Sequence, residues 1–320
     1  MLKTKLTERL GIRHPVLLAP MGMVSGGALA AAVSAHGGLG LIGGGYADPA
    51  WLEREFKAAG NQRVGCGFIT WALAKRPEAL DVALAHAPAA VMLSFGDAAP
   101  FIARIKAAGA VAICQVQTVA QAKTVIDEGA DIVVAQGTEA GGHGGRRSTM
   151  PLVPAIADLA AASGRDVPVV AAGGIIDGRG LAAALMLGAD GVLMGTRFYA
   201  TEESLAPEAG KRRVVAASGD QTLRTRVFDI ARGYDWPHEY TGRAIANRLT
   251  EEWHGREAEM ATSAETEKAR YAKAAAAGDI DVAVVFAGEG IDLIRSIEPA
   301  GTVLDRILRE AETALARRFG

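Results

Sequence analysis

Residues 168–197 read PVVAAGGIIDGRGLAAALMLGADGVLMGTR. An apolar run, Val169 to Ala171, meets a pair of glycines, and an alanine-rich helical stretch follows. That stretch stops at Leu187-Gly188-Ala189-Asp190, where Gly188 sits where a left-handed cap would end a helix. A second apolar run, Gly191 to Met194, then meets another glycine, which makes the whole a strand, a crossover helix and a strand. The pattern recurs along the chain, with earlier strand candidates at Val16 to Ala19, Leu39 to Gly43, Val64 to Phe68, Ala90 to Ser94, Val111 to Val116 and Ile132 to Ala135. Their starts lie about 20 to 37 residues apart, and the runs lack polar alternation, as expected of parallel strands buried on both faces. Ala107-Ala108-Gly109-Ala110 and Glu128-Gly129-Ala130-Asp131 repeat the same helix ending. Eight such units predict an α/β chain folded as a (β/α)₈ TIM barrel.

The barrel is expected over residues 1–200. After Thr196 the charges become dense and the spacing helical, which predicts a smaller, mainly helical lobe over 201–290. Within it Val282 to Ala287 reads as a short returning strand or a buried segment. Residues 291–320 read as a terminal helix packing back on the barrel.

With 50% hydrophobic and 22% charged residues the chain has ample material for a large core. Lys and Arg number 34 against 36 Asp and Glu, so no global positive field exists to hold nucleic acid or an anionic membrane. The partners expected are small molecules or protein. Cys66 and Cys114 make no disulfide framework and have no metal-ligand spacing, which fits a reducing cytoplasm. The uncharged stretch from Pro15 to Ala47 is broken by Pro20 and by glycines, so it reads as folded core and not as a membrane span. Glu8 in the basic head and the short apolar run before Pro20 argue against a secretory signal.

In a barrel of this kind ligands sit at the carboxyl ends of the strands. After the first strand, Ala19-Pro20-Met21-Gly22 either lies under a planar ring or forms a packed turn. Gly173 and Gly174 follow the seventh strand. Met194, Gly195 and Thr196 end the eighth. Glycine turns at these two strand ends expose backbone N–H groups that can cradle a phosphate. After the sixth strand comes Gln136-Gly137-Thr138-Glu139-Ala140-Gly141-Gly142-His143-Gly144-Gly145. A histidine between two glycine pairs is placed to approach a ligand, and its ordinary pKa suits proton abstraction near neutral pH. Gln136 carries an amide able to read the carbonyl and N–H edge of a ring. No histidine and carboxylate set has metal-ligand spacing, and no G-x-S-x-G elbow is present.

Together, Ala19-Pro20-Met21, the loop from Gln136 to His143, Ala171-Ala172-Gly173-Gly174-Ile175 with Asp177-Gly178-Arg179-Gly180, Met194-Gly195-Thr196-Arg197-Phe198 and the later turn Ala287-Gly288-Glu289-Gly290 resemble the nitronate monooxygenases, formerly called 2-nitropropane dioxygenases. The resemblance implies non-covalently bound FMN, its phosphate on Gly173, Gly174, Gly195 and Thr196, with Gln136 and Gly141 near the flavin. It makes His143 the catalytic base. The implied reaction is oxidation of an alkyl nitronate, or of a nitroalkane after deprotonation, to a carbonyl compound and nitrite with O2 consumed. Two departures bear on substrate choice: Gly65-Cys66-Gly67-Phe68 stands where many members have Asn in a Gly-x-Asn context, and the glycines after His143 differ from those of a subset carrying Arg there.

The competing flavin reading is an NAD(P)H-dependent reductase of quinones or of enoyl-acyl carrier protein, since the enoyl reductases share a Gly-Gly-His loop. A barrel of the inosine-monophosphate dehydrogenase kind needs a nucleophilic Cys after strand six, and residues 137–150 contain none. A flavin-binding module without catalysis would leave His143 without a purpose.

Overall fold

The computed structural model describes residues 2–317. Eight parallel strands form the barrel: β1 (Val16–Leu18), β2 (Leu41–Gly45), β3 (Gly65–Ile69), β4 (Ala90–Ser94), β5 (Val111–Val116), β6 (Ile132–Gln136), β8 (Val169–Ala172) and β9 (Gly191–Met194). They run in the order β1-β9-β8-β6-β5-β4-β3-β2. Closure comes at Leu39, just before β2. Its N–H donates to the Val16 carbonyl (3.1 Å), and its own carbonyl accepts from Leu18 N–H (3.0 Å).

The period-two alternation divides the strand side chains into two layers. Leu17, Leu41, Met92, Ile113, Val134, Val170 and Leu193 fill the lumen, where Leu6 and Leu10 of the helix Lys5–Leu10 join them. Their neighbours Leu18, Ile42, Val91, Ala112, Val133, Ala171 and Met194 face outward into the layer under the helices. Cys66 and Cys114 lie in that outer layer, and burial pushes both thiols up, Cys114 to about 12, so neither is a reactive thiolate. Gly109, Gly129 and Gly188 all have positive φ (78°, 98° and 92°) at the ends of their helices, the geometry their spacing predicted.

Between residues 201 and 290 lie five α-helices, among them Glu208–Ala216 and Ala264–Ala276. The same stretch also holds two strands that helical spacing did not disclose. These are β10 (Thr222–Thr225) and β11 (Thr241–Ile245), and they form an antiparallel sheet with β7 (Gly142–Gly144), which is the histidine loop itself. The Val282 to Ala287 segment runs beside β11, with Ile245 N–H on the Val285 carbonyl (3.0 Å) and a bridge between Ala244 and Phe286. Among the described residues no helix is long and apolar enough to cross a membrane.

The terminal helix is Ala300–Leu315, shorter than the 291–320 expected, because Pro299 sets its start and residues 289–293 form a short 3₁₀ turn. Residues 318–320 of the expected helix lie outside the described residues. Ala300–Leu315 packs on the helices Gly178–Met186 and Gly27–Ala35. A Cβ at Gly178 would lie 2.3 Å from the Ile307 carbonyl oxygen and 2.3 Å from the Ala311 nitrogen, so the two backbones meet there directly. Gly178→Val is therefore expected to destabilise the fold by roughly 1–3 kcal/mol through overpacking, read from the urea midpoint. An unchanged midpoint would mean that the helix docks independently of this contact.

Candidate active site

The C-terminal ends of the strands open into a cavity of ≈ 540 Å³. Its size lies within the range of small-ligand and cofactor sites. The loop after β1 forms one wall. Gly43 in β2 lets it in: a Cβ there would sit 2.1 Å from the Met21 carbonyl oxygen. Ala19, Pro20, Met21 and Gly22 all line the cavity.

Across from that loop lie the glycine turns. Gly173 and Gly174 hold φ of 106° and 71°, conformations that favour glycine, and Gly195 and Thr196 follow β9 beside them. Among the described residues the amides of Gly173, Gly174 and Gly195 donate to no protein acceptor. Unpaired backbone donors converging on a cavity wall are the requirement for holding an anion. Thr196 Oγ1 accepts from Gly288 N–H (3.0 Å), which ties the Ala287-Gly288 turn to the same wall. Met194 is the exception among the residues expected here. It is absent from the wall because strand parity turns its side chain outward, and Leu193 lines the cavity in its place.

Gln136 reaches the cavity, but its amide is engaged on both sides. Nε2 donates to the His143 carbonyl (3.0 Å), and Oε1 accepts from Gln117 Nε2 (2.9 Å). It thereby fixes the histidine loop as well as facing the ligand space. Gly141 lies on the wall against the Ala287-Gly288 backbone.

His143 sits in the middle of β7, opposite Gly242 of β11. Arg224 braces the loop from behind, donating to the carbonyls of Thr138 (3.0 Å), Ala140 (3.3 Å), Gly144 (3.4 Å) and Thr241. Burial lowers the pKa of Arg224 to about 10, which leaves it charged at neutral pH. Arg243 adds a further hydrogen bond to the Thr138 carbonyl and an ion pair with Glu289 (2.6 Å).

The imidazole stacks on Trp236, centroids 3.5 Å apart and planes within 3°. Its Nε2 lies 2.9 and 3.0 Å from the two oxygens of Asp229, on the helix Val227–Arg232. His143 and Asp229 are 8% and 2% exposed, so the pair is shielded from solvent. A carboxylate only accepts, so Nε2 carries the proton and Nδ1 keeps a lone pair. Nδ1 has no hydrogen-bond partner among the described residues, and His143 lines the cavity. The arrangement is that of an imidazole whose tautomer a buried carboxylate fixes.

Asp229, Trp236, Tyr234 and Arg232 were not anticipated as site residues. One signal was available for the aromatics: Phe228, Tyr234, Trp236 and Tyr240 crowd one short segment of a chain that is only 5% aromatic. Tyr46 stacks on Tyr234 (4.1 Å) and accepts a hydrogen bond from Trp236 Nε1 (3.0 Å). Phe95, with a left-handed φ of 65°, packs edge-on to Trp236 (5.2 Å). Non-glycine residues in this conformation concentrate at functional sites.

A family model described as nitronate monooxygenase matches residues 3–63 and 69–310. The unmatched interval contains Gly65-Cys66-Gly67-Phe68, the segment where the sequence departs from the Gly-x-Asn context. The chain is 32% identical to a nitronate monooxygenase of Neurospora crassa, covering 95% of this chain and 91% of that protein. It is 38% identical to a Mycobacterium tuberculosis (3aS,4S,5R,7aS)-5-hydroxy-7a-methyl-1-oxo-octahydro-1H-indene-4-carboxyl-CoA dehydrogenase, covering 78% of this chain and 68% of that protein. Among solved structures, FabK from Thermotoga maritima superposes with a TM-score of 0.85 at 31% identity, covering 98% of each chain. The nitroalkane oxidase of Streptomyces ansochromogenes superposes with a TM-score of 0.79 at 30% identity, covering 97% of this chain and 99% of that one.

Burial is the main influence on His143 and lowers its pKa below the ordinary 6.5, while the Asp229 hydrogen bond and charge oppose that shift. The ring is therefore neutral at pH 7. The imidazole is expected to titrate below 6.5 in the wild type, and lower still in Asp229→Asn, where the opposing charge is gone. Histidine ring resonances followed by NMR through an acid titration check both. A rise in the variant would mean that Asp229 does not stabilise the protonated ring.

Proposed function

Because the chain belongs to the nitronate monooxygenase family, a family of flavin-dependent oxidoreductases, we propose that it holds FMN at the C-terminal end of its barrel and oxidises alkyl nitronates with O2. The products are a carbonyl compound and nitrite, and nitroalkanes are substrates once deprotonated. The observation that carries this reading is His143, paired with the buried Asp229 and lining a cavity whose wall also holds backbone amides without protein acceptors among the described residues.

The residues fit FMN by their donor set. Gly173, Gly174, Gly195 and Thr196 would take the phosphate, and the Ala19 to Gly22 loop with Gln136 and Gly141 would border the ring. A single cradle without a second motif for an adenosine half favours FMN over FAD. When bound, the flavin supplies the redox chemistry, taking electrons from the substrate for delivery to O2. The chain itself supplies the proton chemistry. His143 Nδ1 takes the proton from the carbon of a neutral nitroalkane, and Asp229 stabilises the imidazolium that results. Trp236 and Phe95 exclude water from the ring while this happens.

The first test is the visible spectrum of the purified protein with release and identification of the flavin, followed by aerobic nitrite formation from propionate 3-nitronate. A colourless protein that takes up no FMN would overturn the reading. Fast anaerobic bleaching of the flavin by NADH, without nitrite formation from any nitronate, would replace it with the reductase reading.

Gly195 tests the phosphate assignment. Its φ is −106°, and a Cβ there would lie 3.4 Å from Ala19 Cβ, in ordinary contact, so a side chain is tolerated by the fold. In Gly195→Asp a carboxylate stands against the phosphate, weakening FMN binding by roughly 1–3 kcal/mol or more with the thermal midpoint of the apoprotein near the wild-type value. Undiminished FMN affinity would place the phosphate elsewhere.

His143→Asn separates two roles for the imidazole. A general base contributes about 10² to 10⁴-fold to proton abstraction. A pre-formed nitronate has already lost that proton. Activity on nitroethane is expected to collapse by such a factor, ethylnitronate turnover to be largely spared, and FMN to remain bound. Equal losses on both substrates would assign His143 to binding the nitro group instead.

A further inference from the structure

The wall of the cavity contains one guanidinium, that of Arg232, and among the described residues it has no hydrogen-bond or ion-pair acceptor. Arg224 and Arg243, by contrast, are spent on the backbone of the histidine loop and lie off the wall. Among the described residues the one acidic side chain on the wall, that of Asp48, caps the helix Pro49–Ala59 through Ala50 N–H (3.0 Å). Arg232 ends the helix that carries Asp229, and Gly233 stops that helix. Arg232, Tyr234 and Trp236 then follow at every second residue, and all three face the cavity. The guanidinium lies 4.6 Å from the Tyr234 ring centroid and 5.9 Å from that of Phe286.

A guanidinium presents a positive charge and five N–H donors in one planar fork. The ring faces attract it but do not supply the oxygen acceptors its N–H groups lack. An anionic ligand would supply them. Besides Tyr234 and Phe286, the same cavity is lined by Tyr46, Phe95, Trp236 and Met92, more apolar surface than a one- or two-carbon substrate can cover.

We propose that Arg232 receives the negative end of the substrate while the aromatic wall takes an aromatic or long apolar body, so that the preferred substrates are bulky anions of the arylalkyl nitronate class. This rests on the nitronate reading above and narrows it. The cation also fits the base it neighbours: its charge adds to the burial that keeps His143 unprotonated, so an anion drawn to Arg232 meets a neutral imidazole.

Two measurements on the flavin-loaded protein test it. In the first, calorimetry compares phenylacetate, acetate and phenylacetamide as unreactive probes. Phenylacetate is expected to bind roughly tenfold or more tightly than either of the others, since acetate lacks the ring and the amide lacks the charge. Arg232→Met should erase the preference for acid over amide, and Arg232→Lys should restore part of it. In the second, the kcat/KM for the nitronate of 2-phenylnitroethane should exceed that for ethylnitronate roughly 10- to 100-fold, with Arg232→Met raising KM far more than it lowers kcat. Equal binding of phenylacetate and phenylacetamide in the wild type, or an acid preference that survives Arg232→Met, would overturn the proposal and leave Arg232 as a strut against Tyr234. No preference for the phenyl substrate would overturn the assignment of the aromatic wall. If no nitronate yields nitrite yet the Arg232-dependent preference for phenylacetate holds, the nitronate reading falls while the anion site stands.

Discussion

The hydrogen bond from His143 to Asp229 joins two parts of the chain 86 residues apart, the loop that leaves the sixth barrel strand and a helix of the region after the barrel. A buried carboxylate is costly unless something donates to it, and here the donor is the ring whose tautomer it fixes. That one contact sets which imidazole nitrogen is free. It also requires the second region to lie across the mouth of the barrel, bringing Arg232, Tyr234 and Trp236 to the same cavity. The small sheet of β7, β11 and β10 is the scaffold for this, and Arg224 is the brace. The catalytic reading therefore depends on barrel and lobe together.

A second constraint is close backbone approach. With 39 glycines the chain can bring the loop after β1 against Gly43 and the terminal helix against Gly178. The glycines on the cavity wall do something different. At Gly173, Gly174 and Gly195 the turns leave amides without protein acceptors among the described residues, so these donors are set in the cavity wall before any ligand arrives. Preorganised donors of this kind lose little entropy on binding.

Much of this was readable in the residues. The barrel was legible because buried parallel strands are short uniform apolar runs and because Gly109, Gly129 and Gly188 mark the helix ends. The wall of the cavity was legible because barrels of this kind bind ligands at the carboxyl ends of their strands, where the glycine turns lie. What escaped depended on tertiary contact. Met194 was misplaced because a one-residue parity decides whether a strand side chain faces the lumen or the helices. The strands β7, β10 and β11 are short and rich in Gly, Thr and Arg, so no hydrophobic periodicity announces them; they exist through pairing with one another. Asp229 sits in a six-residue helix with no local feature to single it out. Its role appears only when His143 is beside it.

The central claim, that His143 Nδ1 removes a proton from substrate carbon, is tested most directly by the deuterium isotope effect on kcat/KM for nitroethane against 1,1-dideuteronitroethane, measured through the acid limb of the pH profile. The account predicts a primary effect of several-fold on nitroethane, with the acid limb centred below the ordinary histidine value and no comparable effect on pre-formed ethylnitronate. Indistinguishable rates for the two nitroethanes throughout that limb would contradict it.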